Sequence, residues 1–404
     1  MSKRVKLGDV CDLSIGFVGT VTSQYEEGGI PFLRTLNVKP YKIVSNDLKR
    51  ITLAFHQSQK KSMLKSGDVV MVHTGVPGIC CVIPDEYDNS NCIDMIVIRP
   101  HKNMISSHYL AAYMNTIGYK HIEKIQVGCI QKHFNLKDAV DFPIYLPSID
   151  TQNRIGDFVE RINDKIEINN TINAELEALA KTIYDYWFLQ FEFPNEEGLP
   201  YKSSGGKMVW SEELKREIPE GWGVGVLNDI ANIVMGSSPK GETINENGDG
   251  IVFYQGNADF DMRYPINRTY TTSPIRFAEE DAILLSVRAP VGSLNIASEK
   301  CCIGRGVAGI HAEHKSYVYY LLRSLTSVFD KYNNNGTTFG CINKEALTNM
   351  KILIPNLGIR EAFEKVVVSG ELLIKNNTKE NRELAALRDW LLPMLMNGQV
   401  GFKE

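Results

Sequence analysis

The chain has 404 residues, 43% hydrophobic and 23% charged, with a formal net charge of −4. That length exceeds what one hydrophobic core organises and suits two to four domains, and the composition is that of an ordinary globular protein. No apolar run approaches the ~18 residues that cross a bilayer, and the basic start Met1-Ser2-Lys3-Arg4 has no apolar segment behind it, so a cytoplasmic protein is expected. The charge argues mildly against a nucleic-acid partner, but it is uneven: the first 150 residues are slightly basic and the segment after them is acidic.

Residues 1–150 read as a strand-rich globule. Val69–Val72, Ile79–Ile83 and Ile93–Ile98 are short apolar runs bounded by Gly, Pro or Asp, and Ser107–Asn115 reads as a helix. From 151 to 191 Gly and Pro nearly vanish. Apolar residues recur at Ile155, Phe158, Ile162, Ile166, Ile172, Leu176, Leu179, Ile183 and Trp187, mostly in steps of three and four. The spacing predicts a long helix with a narrow apolar stripe, capped by Asp150 or Thr151, and at ~1.5 Å rise per residue it is roughly 60 Å long. Residues 192–220, with Pro194, Pro200 and Ser203-Ser204-Gly205-Gly206, have a linker composition. A second globule spans 221–357 and a second long helix 358–398, leaving a tail at 399–404. That helix stripe holds Phe363, Val366, Val367, Gly370, Leu373, Ile374, Leu384, Leu387, Leu391 and Met394, with Pro393 at a frayed end. A long helix with a narrow stripe needs a partner of similar length, so the two are expected to pack as an antiparallel coiled coil. Asn169 and Asn377 interrupt the stripes near their middles, where a polar core residue fixes register, and they are predicted to meet.

The plan of globule and helix occurs twice, and the sequence repeats with it. Lys6-Leu7-Gly8-Asp9-Val10 is answered by Val226-Leu227-Asn228-Asp229-Ile230, and Gly16 by Gly236. Gly29–Arg34 is answered by Gly250–Gln255, and Gly67–Met71 by Glu280–Leu284. Gly128-Cys129-Ile130 is answered by Gly340-Cys341-Ile342, and Ile144–Pro147 by Ile352–Pro355. The offset stays between 221 (Gly29 to Gly250) and 208 (Pro147 to Pro355), starting at 220 (Asp9 to Asp229), which marks a duplicated folding unit.

Catalytic signatures are missing. Gly236 to Gly241 approaches a phosphate-binding loop, but Glu242 stands where the lysine belongs. His121-Ile122-Glu123 lacks the second histidine of a zinc protease, and no Gly-x-Ser-x-Gly elbow or Asn/Asp-Pro-Pro-aromatic methyltransferase motif occurs. The pairs Cys80-Cys81 and Cys301-Cys302 are adjacent, a strained geometry for a bridge, and without a Cys/His ladder zinc is not expected. They read as small buried hydrophobes in a reducing compartment. The chain is expected to catalyse nothing and to hold no metal or cofactor.

Two strand-rich globules alternating with two long helices resemble the specificity subunit of type I restriction-modification systems. The local marks are Ile218-Pro219-Glu220-Gly221-Trp222, the paired Leu7-Gly8-Asp9-Val10 and Leu227-Asn228-Asp229-Ile230, Trp187-Phe188, and the turns Gly128-Cys129-Ile130-Gln131 and Gly340-Cys341-Ile342-Asn343. The resemblance implies an α+β, pseudo-two-fold chain with two target recognition domains, spaced by a helix pair that holds two methyltransferase subunits. Those partners would methylate adenine with S-adenosylmethionine, and restriction subunits using ATP and magnesium would join them. Two diverged copies suit a bipartite double-stranded DNA target with unlike halves, and a ~60 Å rod is about two duplex turns of ~34 Å.

Bases are read mostly in the major groove by Arg, Lys, Asn, Gln, Ser and Thr. Matching loops of the two copies offer Arg34, Thr35 and Asn37 against Gln255 and Asn257, where Arg34 has the chemistry of a guanine reader and Gln255 that of an adenine reader. They also offer His73 and Thr74 against Ser286 and Arg288, and Gln131, Lys132 and His133 against Thr337, Thr338 and Asn343. Lys60, Lys61 and Lys65 are candidate phosphate contacts. The competing reading is a protein-binding scaffold that presents two repeated domains on a rod without touching DNA.

Overall fold

The computed structural model describes residues 3–125, 134–334 and 340–402. The chain divides into two units, Met1–Asn169 with Glu380–Glu404, and Asn170–Lys379. The division falls within both long helices, Ile149–Tyr184 and Leu357–Met396.

The first unit is built on a four-stranded antiparallel sheet in the order Cys11–Ile15, Met95–Pro100, Val69–Val72, Cys80–Val82. Its inner strands carry unbroken apolar runs because both faces are covered. One face packs on Leu7, Tyr109, Tyr113, Ile144, Ile155 and Val159, and the other meets Leu33, Leu64 and Tyr87. A smaller sheet sets Tyr25–Leu33 antiparallel to Lys49–Ile51 and parallel to Asn91–Cys92. Lys3–Lys6 pairs with Pro143–Leu146 and brings the ends of the globule together.

The second unit repeats this plan. Its sheet runs Asn232–Met235, Val307–His311, Ile283–Ser286, Leu294–Ile296, while Gly223–Val226 pairs with Lys351–Ile354 and Ile251–Tyr254 runs parallel to Cys301–Ile303. Even a buried hydroxyl recurs: Tyr109 donates to the Tyr145 carbonyl at 2.6 Å, and Tyr317 to the Leu353 carbonyl at 2.7 Å.

Strand pairing corrects the alignment of the copies at two places. Val69 lies opposite Ile98 and Val82, and Ile283 opposite Ile310 and Ile296, so Val69 answers Ile283, one residue beyond the match of Asp68 with Asp281. In a strand one residue exchanges the two faces, so this slip matters. Gly67 and Asp281, now equivalent, both hold positive φ. Likewise the Phe134 amide donates to the His73 carbonyl and the Ile342 amide to that of Val287. Ile342 therefore answers Phe134, while Gly128-Cys129-Ile130, matched to Gly340-Cys341-Ile342 by sequence, lies outside the described residues.

In each unit the stretches of the two long helices run antiparallel. In the first, Asn169 bonds Glu380 and Asn381 while Arg388 bonds Asn163; in the second, Asn377 donates to Asn173 at 2.9 Å. Asn169 and Asn377 are thus buried register residues, but each pairs with an asparagine one turn from the expected one. The stripe also differs from expectation. Leu179, Val366, Leu373 and Leu387 are exposed, whereas Asn173, Glu177 and Glu371 are buried. The first helix is capped by Ser148, whose hydroxyl accepts from the Thr151 amide, rather than by Asp150 or Thr151. Pro393 lies inside the second helix, whose last turn is held by burial of Leu392, Leu395 and Met396. Residues 192–220 are ordered: Met208–Ser211 pairs with Arg216–Pro219, and Phe193 stacks between Tyr201 and Trp222, with centroids at 4.5 and 5.1 Å.

Candidate nucleic-acid interface

Three loops of the second unit are stitched together by backbone hydrogen bonds. The Gly306 amide donates to the Gln255 carbonyl, the Val287 amide to the Gly306 carbonyl, and the Ile342 amide to the Val287 carbonyl. Arg288 also bridges to Cys341, and the Ala289 amide donates to the Gly340 carbonyl. The loops after the strands Ile251–Tyr254 and Ile283–Ser286 and the segment at Cys341 thus form one surface. Gln255 and Arg288 are exposed on it. Asn257 is half-buried and donates to the Ser293 hydroxyl at 3.3 Å. Ser286 is 1% exposed, with its hydroxyl given to the Arg288 carbonyl, so it shapes the loop and cannot reach a base. Asn343 is exposed, but its Oδ1 caps a short helix by accepting from the Ala346 amide.

The first unit uses its matching residues differently. Asn37 is fully buried and its amide donates to the Val44 and Asn46 carbonyls, which makes it a loop brace instead of a base reader. Arg34, expected to read guanine, donates through Nη2 to the Asp47 carboxylate at 2.7 Å and to the Asp47 carbonyl. Arg34 first and Lys49 second pull the Asp47 carboxyl down to about 2, so it stays ionised and the pair stays closed at neutral pH. His73 is buried, with its carbonyl taken by Phe134; Thr74 beside it is exposed and Thr35 half-buried. Lys60, Lys61 and Lys65 are exposed, as phosphate contacts require. Gln131, Lys132, His133, Thr337 and Thr338 lie outside the described residues.

Sequence reading passed over Ser238 and Arg305. The Ser238 hydroxyl donates to Gln255 Oε1 at 3.0 Å and accepts from the Arg305 amide at 3.3 Å. The available signal was Gly304-Arg305-Gly306: glycines on both sides of an arginine mark a turn pressed against a neighbouring backbone. Among the described residues no helix is long and apolar enough to cross a membrane, no group of side chains is placed to hold a metal, and all seven cysteines are free, six of them buried.

Comparison with known proteins agrees with this layout. The pattern of the type I restriction modification DNA specificity domain matches residues 2–178 and 219–369. A putative type I restriction enzyme MjaX specificity subunit from Methanocaldococcus jannaschii is 29% identical over 323 residues, covering 77% of this chain and 72% of that one. The MjaIX specificity subunit of the same organism is 24% identical over 422 residues, covering 99% and 93%. The HindI specificity subunit of Haemophilus influenzae is 23% identical over 411 residues, covering 85% and 88%. Among solved structures, the type I restriction-modification S subunit from M. genitalium has the same fold, with a TM-score of 0.61 at 14% identity over 98% of this chain and 96% of that one.

Proposed function

The chain belongs to the type I restriction modification DNA specificity domain family, and from that premise we propose that it is the non-catalytic subunit that selects the DNA sequence on which a type I methyltransferase acts. The observation that carries this reading is the doubling: two copies of one strand-rich fold, each presenting a loop surface whose residues have diverged while the strands beneath kept their pairing. Residues 1–150 and 221–357 are the two recognition domains, each reading one half of a bipartite target. The helices 151–191 and 358–398 carry two methyltransferase subunits and set the unread stretch between the halves.

The methyltransferases extrude the target adenine from the stack, since its amino group is out of reach within the duplex, and transfer a methyl group from S-adenosylmethionine. Restriction subunits using ATP and magnesium complete the assembly in the cytoplasm. None of these cofactors is held by this chain. Sequencing the modified bases of a host strain with and without this gene tests the assignment. One bipartite methyl-adenine motif is expected to vanish on deletion and to return with the gene, and an unchanged set of motifs rejects it.

A further inference from the structure

The turn Gly304-Arg305-Gly306 is unusually constrained for a segment that presents a charged side chain. Both glycines are buried and Arg305 between them is exposed. A Cβ on Gly304 would lie 2.8 Å from Gln255 Cα, and one on Gly306 would lie 2.6 Å from the Gln255 carbonyl oxygen. The Gly304 amide donates to the Tyr254 carbonyl at 2.8 Å, the Gly306 amide to the Gln255 carbonyl at 3.1 Å, and the Arg305 amide to Ser238. Every backbone donor of the turn is therefore fixed. No ion pair to Arg305 occurs among the described residues.

Gln255 completes a donor set. Its Oε1 accepts the Ser238 proton and faces Gly304, where an added Cβ would come within 2.8 Å of it. The carbonyl end of the amide is thus turned into the fold, and the NH2 end is left as the outward group. Reading adenine requires an acceptor for its amino group together with a donor for N7, whereas guanine presents two acceptors, N7 and O6. A guanidinium beside an amide reduced to donors matches guanine and mismatches adenine.

The first recognition domain has a turn one residue shorter at the corresponding place, and it carries the opposite charge. The Ile93 amide donates to the Leu33 carbonyl as Gly304 does to Tyr254, and Gly16 and Phe17 donate to the Met95 and Cys92 carbonyls as Gly236 and Ser237 do to those of Val307 and Ile303. Between these fixed points stands Asp94, exposed and at φ +53°. The flanking backbone anchors recur in both domains, while the turn between them differs in length and in the charge it presents.

We propose that the turn Gly304-Arg305-Gly306 is a base-reading element of the second domain, with Arg305 the residue that specifies a guanine and Gln255 its neighbouring donor. This rests on the DNA-recognition reading above. The test uses the full chain bound to its methyltransferase subunits, as wild type, Arg305→Ala and Arg305→Lys, with two readouts: the methylated motif in cells, and competition binding of duplexes changed one base pair at a time. In both variants discrimination at one G·C pair, in one half-site only, is expected to fall about 5- to 150-fold, the range for loss of a bidentate contact. Lysine keeps the charge without the fork and is not expected to restore it. Replacing that guanine by 7-deazaguanine should weaken wild type and leave Arg305→Ala unaffected. Uniform weakening on all sequences with a shallower salt dependence would make Arg305 a phosphate contact and overturn the proposal, as would an unchanged motif. A wild-type complex with no sequence preference would instead sink the DNA-recognition reading itself.

Discussion

Arg34 and Gln255 hold equivalent positions after equivalent strands, yet their surroundings give them different work. Sequence alone offers Arg34 as a guanine reader, because an arginine in a loop carries a guanidinium fork. It does not show that Asp47, thirteen residues on, folds back to occupy that fork. Asn37 and Ser286 were misread for the same reason: a polar residue in a loop serves the loop's own backbone as readily as a ligand, and only burial separates the cases. The depressed Asp47 carboxyl fixes the pH behaviour of the pair. Its contribution is present above the ordinary carboxylate range and is lost only as pH falls through about 2, so no change between pH 5 and 9 opens it. Substitution does. Asp47→Ala is expected to free Arg34, raising the affinity of the partner-bound complex for unrelated duplex a few-fold and steepening its log–log salt slope by about one, for one added phosphate contact. Fluorescence anisotropy on a scrambled duplex measures both, and an unchanged slope would show that Arg34 does not reach the backbone.

The long helices were legible from their 3.6-residue period, because a run without Gly or Pro that keeps its apolar spacing has few other folds open to it. What lies between them was not. In the second unit the helix stretches enclose a buried ionic cage: Arg263 donates to Glu177 at 2.7 Å and to Glu371 at 2.5 Å, and its guanidinium lies 3.8 Å from the Tyr319 ring centroid. Glu177 also pairs with Arg323, and Glu371 accepts from Ser316 at 2.9 Å. A hydrophobic pattern has no means of showing this, since the apolar stripe was displaced to make room for the carboxylates and Leu373 was left facing solvent. Arg263 comes from a loop of the recognition domain and each glutamate from a different helix, so the cage joins that domain to both. Removing one member of a buried pair strands charge without a partner. Arg263→Ala is therefore expected to destabilise the second unit by about 3–5 kcal/mol. Thermal unfolding followed by near-ultraviolet circular dichroism should show a lowered transition, whereas replacing Arg305, which is exposed, should leave the transition in place. A variant without Arg263 that melts like wild type would show that apolar packing alone seats the domain.

The doubled organisation is legible in the internal repeat, because strand pairing constrains the residues at strand ends more than those in loops. Charge was the feature that argued the other way, and salt dependence is where it is decided. A protein releases about one counterion for each phosphate it neutralises, so log K falls with log salt at a slope of about −0.9 per contact. With 44 Lys and Arg against 48 Asp and Glu, a net charge of −4, this chain has no excess of positive charge with which to hold phosphates of its own. Its role would then be discrimination, with most of the electrostatic grip supplied by the subunits it carries. The isolated chain is expected to bind duplex weakly, with a slope of about −2 to −4. The complex with its methyltransferases is expected to behave as a protein making roughly 6–10 phosphate contacts, losing about 10³- to 10⁵-fold in affinity between 50 and 200 mM salt. Titrating both species against the same target and a scrambled duplex separates the contributions: the complex should keep its preference for the target as salt rises, while its affinity for both falls. A salt-insensitive complex that treats target and scrambled duplex alike would return the chain to the protein-scaffold reading, in which the two domains serve partners other than DNA.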